Sequence, residues 1–331
     1  MAGDAMPEDQ PRPAKPPPVD PGHEQRVRAA WIYYVEGRTQ SEVAAALGLN
    51  RVAVTRLLSE AKRRAEVTVS INSALVDAVA LERALERRHG LRRAVVAPRQ
   101  PGQDDPTRLI AAAAGRHVSA MLAPDMTVGV GWGRTLHAML GALEPRAVPG
   151  LRVVSLLGGI AEAKRFNPAE FAWRFAEAFD AEGFLVPAPA LVDSPVTRHA
   201  LLERCGLDQV FQMAEASDVA ILSCGGISEL NTSYRLGHVT EAERASLRDM
   251  GAVGDVLYTF LDAGGRPVDH SINRRGMAVG LDRLRRVRER VLVSGGAEKV
   301  AILRAAIASL APTTLVTDEL TARALLDEGG G

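Results

Sequence analysis

Four short glycine-bearing turns carry the residue types that hold an anion. The first is Gly129-Val130-Gly131-Trp132-Gly133-Arg134-Thr135. It runs into a helical stretch, so Gly131, Trp132 and Gly133 would offer backbone amides beside the Thr135 hydroxyl and the Arg134 cation. It lacks the Gly-Lys-Ser/Thr ending of a P-loop, and Leu136 stands where a dinucleotide fingerprint needs its last glycine. A tight βα turn accounts for the same spacing. The second turn, Leu157-Gly158-Gly159-Ile160, is followed by Lys164, Arg165 and Asn167. The third is Cys224-Gly225-Gly226-Ile227-Ser228 and the fourth Ser294-Gly295-Gly296-Ala297-Glu298-Lys299. Lys299 falls in the opening turn of a helix, where the dipole disfavours a cation. A bound anion would remove that penalty; a solvated surface lysine is the plain alternative. Only four of the 40 basic residues are lysines, which singles Lys299 out.

Asp193 and Asp255 could accept hydrogen bonds from sugar hydroxyls. Asp262-Ala263-Gly264-Gly265-Arg266 reads as a hairpin turn. Asp269-His270 suggests an acid/base pair, yet adjacent strand residues face opposite ways. A sugar-phosphate isomerase or deaminase would need a base beside a carbonyl, with Asp255 and His270 the candidates, or a Schiff-base lysine, Lys164 or Lys299. Nothing in the sequence orients one of these groups to another. Cys205 and Cys224 lack metal-ligand spacing, so neither a metal nor any other cofactor is expected, and a reducing cytoplasm fits.

Short β-branched runs at 93–97, 126–130, 152–157, 183–186, 219–223, 291–294 and 314–317 alternate with helical stretches such as 107–122, 134–143 and 168–180. That alternation predicts an α/β fold, a Rossmann-like parallel sheet covered on both faces. Ligands of such sheets bind beyond the carboxyl ends of the strands, where the glycine turns lie.

A different pattern precedes it. Gln40 to Ser59, QSEVAAALGLNRVAVTRLLS, reads as a helix-turn-helix. Ala44 allows close crossing, Gly48 supplies the turn, and Thr39 and Asn50 are N-caps. Val43, Leu47, Leu49, Val54 and Leu57 would form the core. Asn50, Arg51, Ala53, Thr55, Arg56 and Ser59 would face the DNA major groove, with Gln40 counted in the same surface. Lys62, Arg63 and Arg64 would hold phosphates against a single Glu60. An ordinary αα-hairpin is the alternative. A preceding helix over 25–36 would bury Val27, Ala30, Trp31 and Tyr34. Val67 to Ile71 suits a strand or wing, and a connector helix over 74–89 would use Leu75, Val79, Leu81 and Leu85.

The expected organisation is therefore a disordered, proline-rich arm over 1–22, a helix-turn-helix domain over 23–72, a connector over 73–90 and an α/β domain over 91–331. A length of 331 residues, 47% apolar and 24% charged, fits two soluble domains. Zero net charge restricts any nucleic-acid surface to a local patch. No signal-peptide core or membrane span is expected, which places the chain in the cytoplasm, away from membranes.

Together these residues resemble the SorC/DeoR-type sugar-binding transcriptional regulators. The likeness spans residues 25–327, through AWIYYVEGRTQSEVAAALGLNRVAVTRLLSEA, GVGWGRTL, PAPALVDSPVTRHALL, GAVGDVLYTFLDAGGRPVDH, VSGGAEKVAIL and LVTDELTARALL in order. It implies operator DNA as one partner and a phosphorylated sugar or polyol as effector. The phosphate would meet the GWGRT loop and Lys299. The hydroxyls would meet Gly158 and Gly159, Asn167, Asp193, and Cys224 to Gly226. A homotetramer, a dimer of dimers, is also implied. Two positions depart from the pattern: Cys224-Gly225-Gly226 stands where many relatives read Gly-Ile-Gly, and Arg134 where some carry threonine. Both bear on how the effector is gripped.

Overall fold

The computed structural model describes residues 22–67, 76–98, 105–160, 166–229, 231–235 and 237–327. The chain divides into two compact units, Met1–Ser73 and Ala74–Gly331.

In the first unit α1 (His23–Ala30) runs into a π-helical turn, Trp31–Val35, and is followed by α2 (Gln40–Leu47) and α3 (Arg51–Arg63). Thr39 caps α2 in a reciprocal box with Glu42, and the Asn50 side chain accepts from the Ala53 amide at 2.8 Å. Gly48 ends α2 at φ +65° in the left-handed region. Ala29, Ala30, Val43, Ala44, Val54 and Leu58 form the core.

Two expectations need correction here. Leu58 takes the buried place assigned to Leu57, which is only half-buried. Val27 and Trp31 are exposed, Trp31 by 58%, although both were placed on the inner face of the first helix. The cause is local. Arg26 turns inward to a bidentate pair with Glu66 (2.7 and 2.5 Å), and the π turn, with Glu36 N–H bonding Trp31 O, shifts the phase of the face. Of the strand or wing expected over 67–71, all but Val67 lies outside the described residues.

The second unit opens with α4 (Val76–His89) and β1 (Arg93–Ala97), then α5 (Thr107–Met121), β2 (Thr127–Val130), α6 (Arg134–Met139), β3 (Arg152–Gly159), α7 (Pro168–Ala178) and β4 (Glu182–Pro189). After α8 (Pro195–Arg204) and α9 (Asp208–Glu215) come β5 (Val219–Leu222), β6 (Gly225–Gly226), α10 (Thr232–Arg235), α11 (Glu241–Asp249), β7 (Ala252–Val256) and β8 (Thr259–Asp262). The chain closes with α12 (Ser271–Arg275), α13 (Leu281–Leu284), β9 (Glu289–Val293), α14 (Val300–Leu310), β10 (Thr314–Asp318) and α15 (Glu319–Leu326).

Seven strands form one parallel sheet in the order β1-β10-β9-β5-β2-β3-β4. Alternation along each strand sends residues to opposite faces. Val219 and Ile221 of β5 join the core under α5, α6 and α7, while Ala220 and Leu222 join the core under α9 and α14. The helix expected as a connector is packed on this sheet through Leu81 and Leu85, with Val79 exposed and Leu75 outside the described residues. Its Glu82 and Glu86 accept from the Val96 and Ala94 amides at 3.0 and 3.1 Å, which satisfies donors of the edge strand β1. A smaller antiparallel sheet, β6-β7-β8, stands beyond the carboxyl end of β5. Asp262 accepts from the Arg266 amide, so the hairpin turn is present.

Gly48→Ala should destabilise the first unit by about 1 kcal/mol. No atom lies within 4 Å of the added Cβ, so the left-handed backbone alone carries the cost. Urea unfolding followed by Trp31 fluorescence would check this, and an unchanged midpoint would contradict it.

Candidate functional site

The chain lays β2, β3 and β4 outward on one side and then returns to place β5 against the other side of β2. The loops after β2 and β5 therefore diverge over a crevice at the switch in strand order, where open α/β sheets bind ligands. Here that crevice is a narrow cleft with about 40 Å3 open to water-sized groups. It is lined by Trp132, Gly133, Arg134 and Thr135 after β2, Cys224, Gly225 and Gly226 after β5, Asp255 from β7, and Lys299 before α14. Gly131 completes the first loop, its amide donating to Ile221 O at 2.8 Å and tying the end of β2 to β5.

The remaining residues singled out from the sequence lie elsewhere. Gly158 pairs with Val186 inside the sheet. Gly159 lines a separate apolar cleft beside β4. Asn167 caps α7, its Oδ1 accepting from the Ala169 amide and its Nδ2 donating to Ile160 O. Asp193 lies in the segment leading to α8. Gly295 is packed on Asp318, and the Gly296 amide donates to Asp318 Oδ2 (3.0 Å) and Thr321 Oγ1 (2.8 Å). The fourth turn thus spends its Gly296 amide on the start of α15 and sends Lys299 to the cleft. His270 caps α12 by accepting from the Ile272 amide, and is not part of the lining. Lys164 and Arg165 fall outside the described residues.

Electrostatics join the two cations. Burial would raise the Asp105 carboxyl, but hydrogen bonds from Thr107 and the charges of Arg134 and Lys299 hold it below its ordinary value. Both cations thus bear on the Asp105 carboxyl. Burial pushes the Cys224 thiol up to about 11, so it stays protonated in the cleft wall.

Asp255 organises the far wall. Its Oδ1 accepts from Asn231 Nδ2 at 3.0 Å and its Oδ2 from the Tyr258 amide at 3.0 Å. That second bond closes the β7–β8 turn, in which Leu257 (φ +51°) and Tyr258 (φ +61°) are both left-handed. Large side chains are costly in such turns. Leu257 faces the cleft, and Tyr258 stacks on Trp132 with centroids 5.3 Å apart and shares a 2.5 Å hydrogen bond with His238. Burial raises the Asp255 carboxyl to about 6 against those two donors.

The chain matches the Sugar-bind family of sugar-binding domains over residues 73–327. It is 30% identical over 304 residues to the deoxyribonucleoside regulator of Bacillus subtilis, covering 91% of this chain and 97% of that protein. It is likewise 30% identical over 307 residues to the erythritol catabolism regulatory protein EryD of Brucella abortus, with 92% and 97% covered. The crystal structure of the full-length sorbitol operon regulator SorC of Klebsiella pneumoniae superposes with a TM-score of 0.71 at 25% identity, covering 92% of this chain and 99% of that one. The chain belongs to the SorC/DeoR-type sugar-binding transcriptional regulators. No helix among the described residues is long and apolar enough to cross a membrane.

In the first unit α2 and α3 meet across the Gly48 turn. Gln40 Oε1 accepts from the Thr55 hydroxyl at 3.0 Å, which locks α2 to α3 beside Arg51. Glu60 takes up Arg63 (2.9 and 2.5 Å) and Arg64 (2.6 Å), and those bonds hold its carboxyl down at about 2. Lys62 stands over the Tyr34 ring. Asn50 spends its oxygen on the cap, and Ser59 is exposed.

Sequence reasoning missed Ser223, Asn231, Thr232, Ser233 and Leu257 in the cleft lining, and gave Ser228 and Glu298 only as members of their turns. The hydroxyl-rich run after Gly226 was the available signal. The Asn231 contact to Asp255 spans 24 residues and has no local signature.

Asp255→Asn must set an amide donor against either Asn231 or the Tyr258 N–H, so the variant should be less stable than the parent. The native state keeps the Asp255 proton up to about pH 6, whereas the unfolded chain loses it near 3.8, so the parent loses stability as pH rises between those values. The stability gap should narrow by about 2 kcal/mol between pH 4.5 and 7. Urea titrations of both proteins would read it, and a gap that does not change with pH would contradict the assignment.

Proposed function

We propose that this chain is a cytoplasmic regulator of a sugar or polyol catabolic operon, whose hold on operator DNA is set by a phosphorylated sugar or polyol. The observation that carries this reading is the convergence of Arg134 and Lys299 on the switch-point cleft, whose lining also holds the Ser223 and Thr232 hydroxyls. The guanidinium fork and the ammonium suit a phosphate monoester, and the Gly133-to-Thr135 segment adds amides and a hydroxyl. The hydroxyls suit a polyhydroxylated chain or ring. Gly295, Gly296 and Asn167 support the elements around the cleft, whereas Gly158, Gly159 and Asp193 lie outside its lining. His270 lies outside the cleft lining, so the Asp255–His270 pair named for acid/base chemistry is not brought together there.

In this reading Arg51, Thr55 and Arg56 of α3 meet base edges with Gln40 and Asn50 beside them, while Ser59, Lys62 and Arg63 approach phosphates. The protein acts as a homotetramer, a dimer of dimers, so that paired α3 helices span a palindromic operator. The effector must favour one arrangement over another, and a coupling of about 1–3 kcal/mol suffices.

Two variants separate the functions. Arg56→Ala should cost DNA affinity about 1–3 kcal/mol and leave effector binding intact. Lys299→Ala should weaken a phosphorylated ligand by tenfold or more, about 1.4 kcal/mol, with ligand-free DNA binding unchanged. Calorimetry and fluorescence anisotropy would measure them. Unchanged affinity of Lys299→Ala for every phosphorylated ligand would remove the phosphate from this cleft.

A further inference from the structure

The side of α3 farthest from its core is a single stripe. Val54, Leu58 and Ala61 are buried, and the opposite direction is occupied by Val52, Arg56, Ser59 and Arg63 at helical spacing. Three of these four are polar or charged. Val52 is 78% exposed, more than any other large apolar side chain among the described residues. It lies in the first turn of α3, directly after the Asn50 cap and Arg51, and the first turn is the part of a recognition helix that meets base edges. Glu60 occupies Arg63 and Arg64, whereas Arg51 and Arg56 have no ion pair among the described residues. An exposed valine is a weaker helix former than alanine, so propensity does not account for it. Its branched side chain is held in one strongly preferred rotamer, which suits shape recognition.

An apolar, stiff side chain rimmed by free guanidinium groups fits a polyanion that presents a methyl group on its reading surface. Duplex DNA does so at one base: thymine carries its C5-methyl in the major groove. We propose that Val52 reads a thymine methyl in each operator half-site and is a specificity-determining residue of this regulator. The proposal rests on the DNA-binding reading above. Arg56 follows Val52 by one helical turn, about 6 Å along the axis, so the thymine lies within about two base pairs of the base that Arg56 contacts.

The test uses the full chain. Binding sites are selected from a random duplex library, and each thymine of the selected site is then replaced by deoxyuridine, which lacks only the methyl. Anisotropy titrations compare the parent with Val52→Ala, a variant at an exposed position with a better helix former. One thymine per half-site should show about a fourfold loss on demethylation with the parent, the value of one buried methyl at about 0.8 kcal/mol, and no loss with Val52→Ala. The same losses for both proteins at every thymine would overturn the proposal while leaving DNA binding intact. Failure to select any sequence would overturn the DNA-binding reading and the proposal with it.

Discussion

The cleft depends on one buried carboxylate. Asp255 has both oxygens committed, one to Asn231 and one to the Tyr258 amide, in a place where burial opposes its charge. The first bond reaches back 24 residues to the hydroxyl-rich run after β6, and the second closes the turn from β7 into β8. They also hold Leu257 and Tyr258 in left-handed conformations that large side chains avoid. The turn in turn props the stack of Tyr258 on Trp132, which sets the position of the first glycine loop. Asn231 is equally spent, since its Oδ1 accepts from both the amide and the hydroxyl of Ser233. A fully satisfied buried network of this kind rigidifies a site, and losing one member leaves the others facing unpaired groups.

The sheet supplies the rest by topology. Placing β5 beside β2 brings the Gly131-to-Thr135 and Cys224-to-Gly226 turns together at the switch in strand order. Lys299 arrives because β9 lies next to β5. Strand-to-helix alternation made the parallel sheet legible, and the positions of the turns at strand ends followed. Which turns share a cleft was not legible, because neighbouring order is a property of the whole sheet. Gly158 and Gly159 look like the other glycine pairs, yet they belong to the side of the sheet that runs away from the switch. Gly295 and Gly296 look like an anion loop, yet Asp318 and Thr321 claim the Gly296 amide.

In the first unit, local chemistry was enough for the turns. Thr39, Gly48 and Asn50 each act within four residues of themselves, so their roles could be read directly. The face of α1 could not. A π turn moves the phase of the apolar residues, and Arg26 is drawn inward by Glu66, forty residues away. Local pairing limits the basic patch: Glu60 claims two of the five cations between Arg51 and Arg64 at i+3 and i+4, which leaves DNA contact to fewer groups than the composition suggests.

The most direct measurement is a thermal-shift comparison of the full chain with matched phosphorylated and free sugars and polyols. A true effector at about 100 times its dissociation constant adds roughly 2.7 kcal/mol, which moves the transition clearly. The account predicts a shift with a phosphorylated compound, none with its free counterpart, and loss of that shift in Lys299→Ala. A shift with free sugars alone would contradict it and take Arg134 and Lys299 out of the phosphate role.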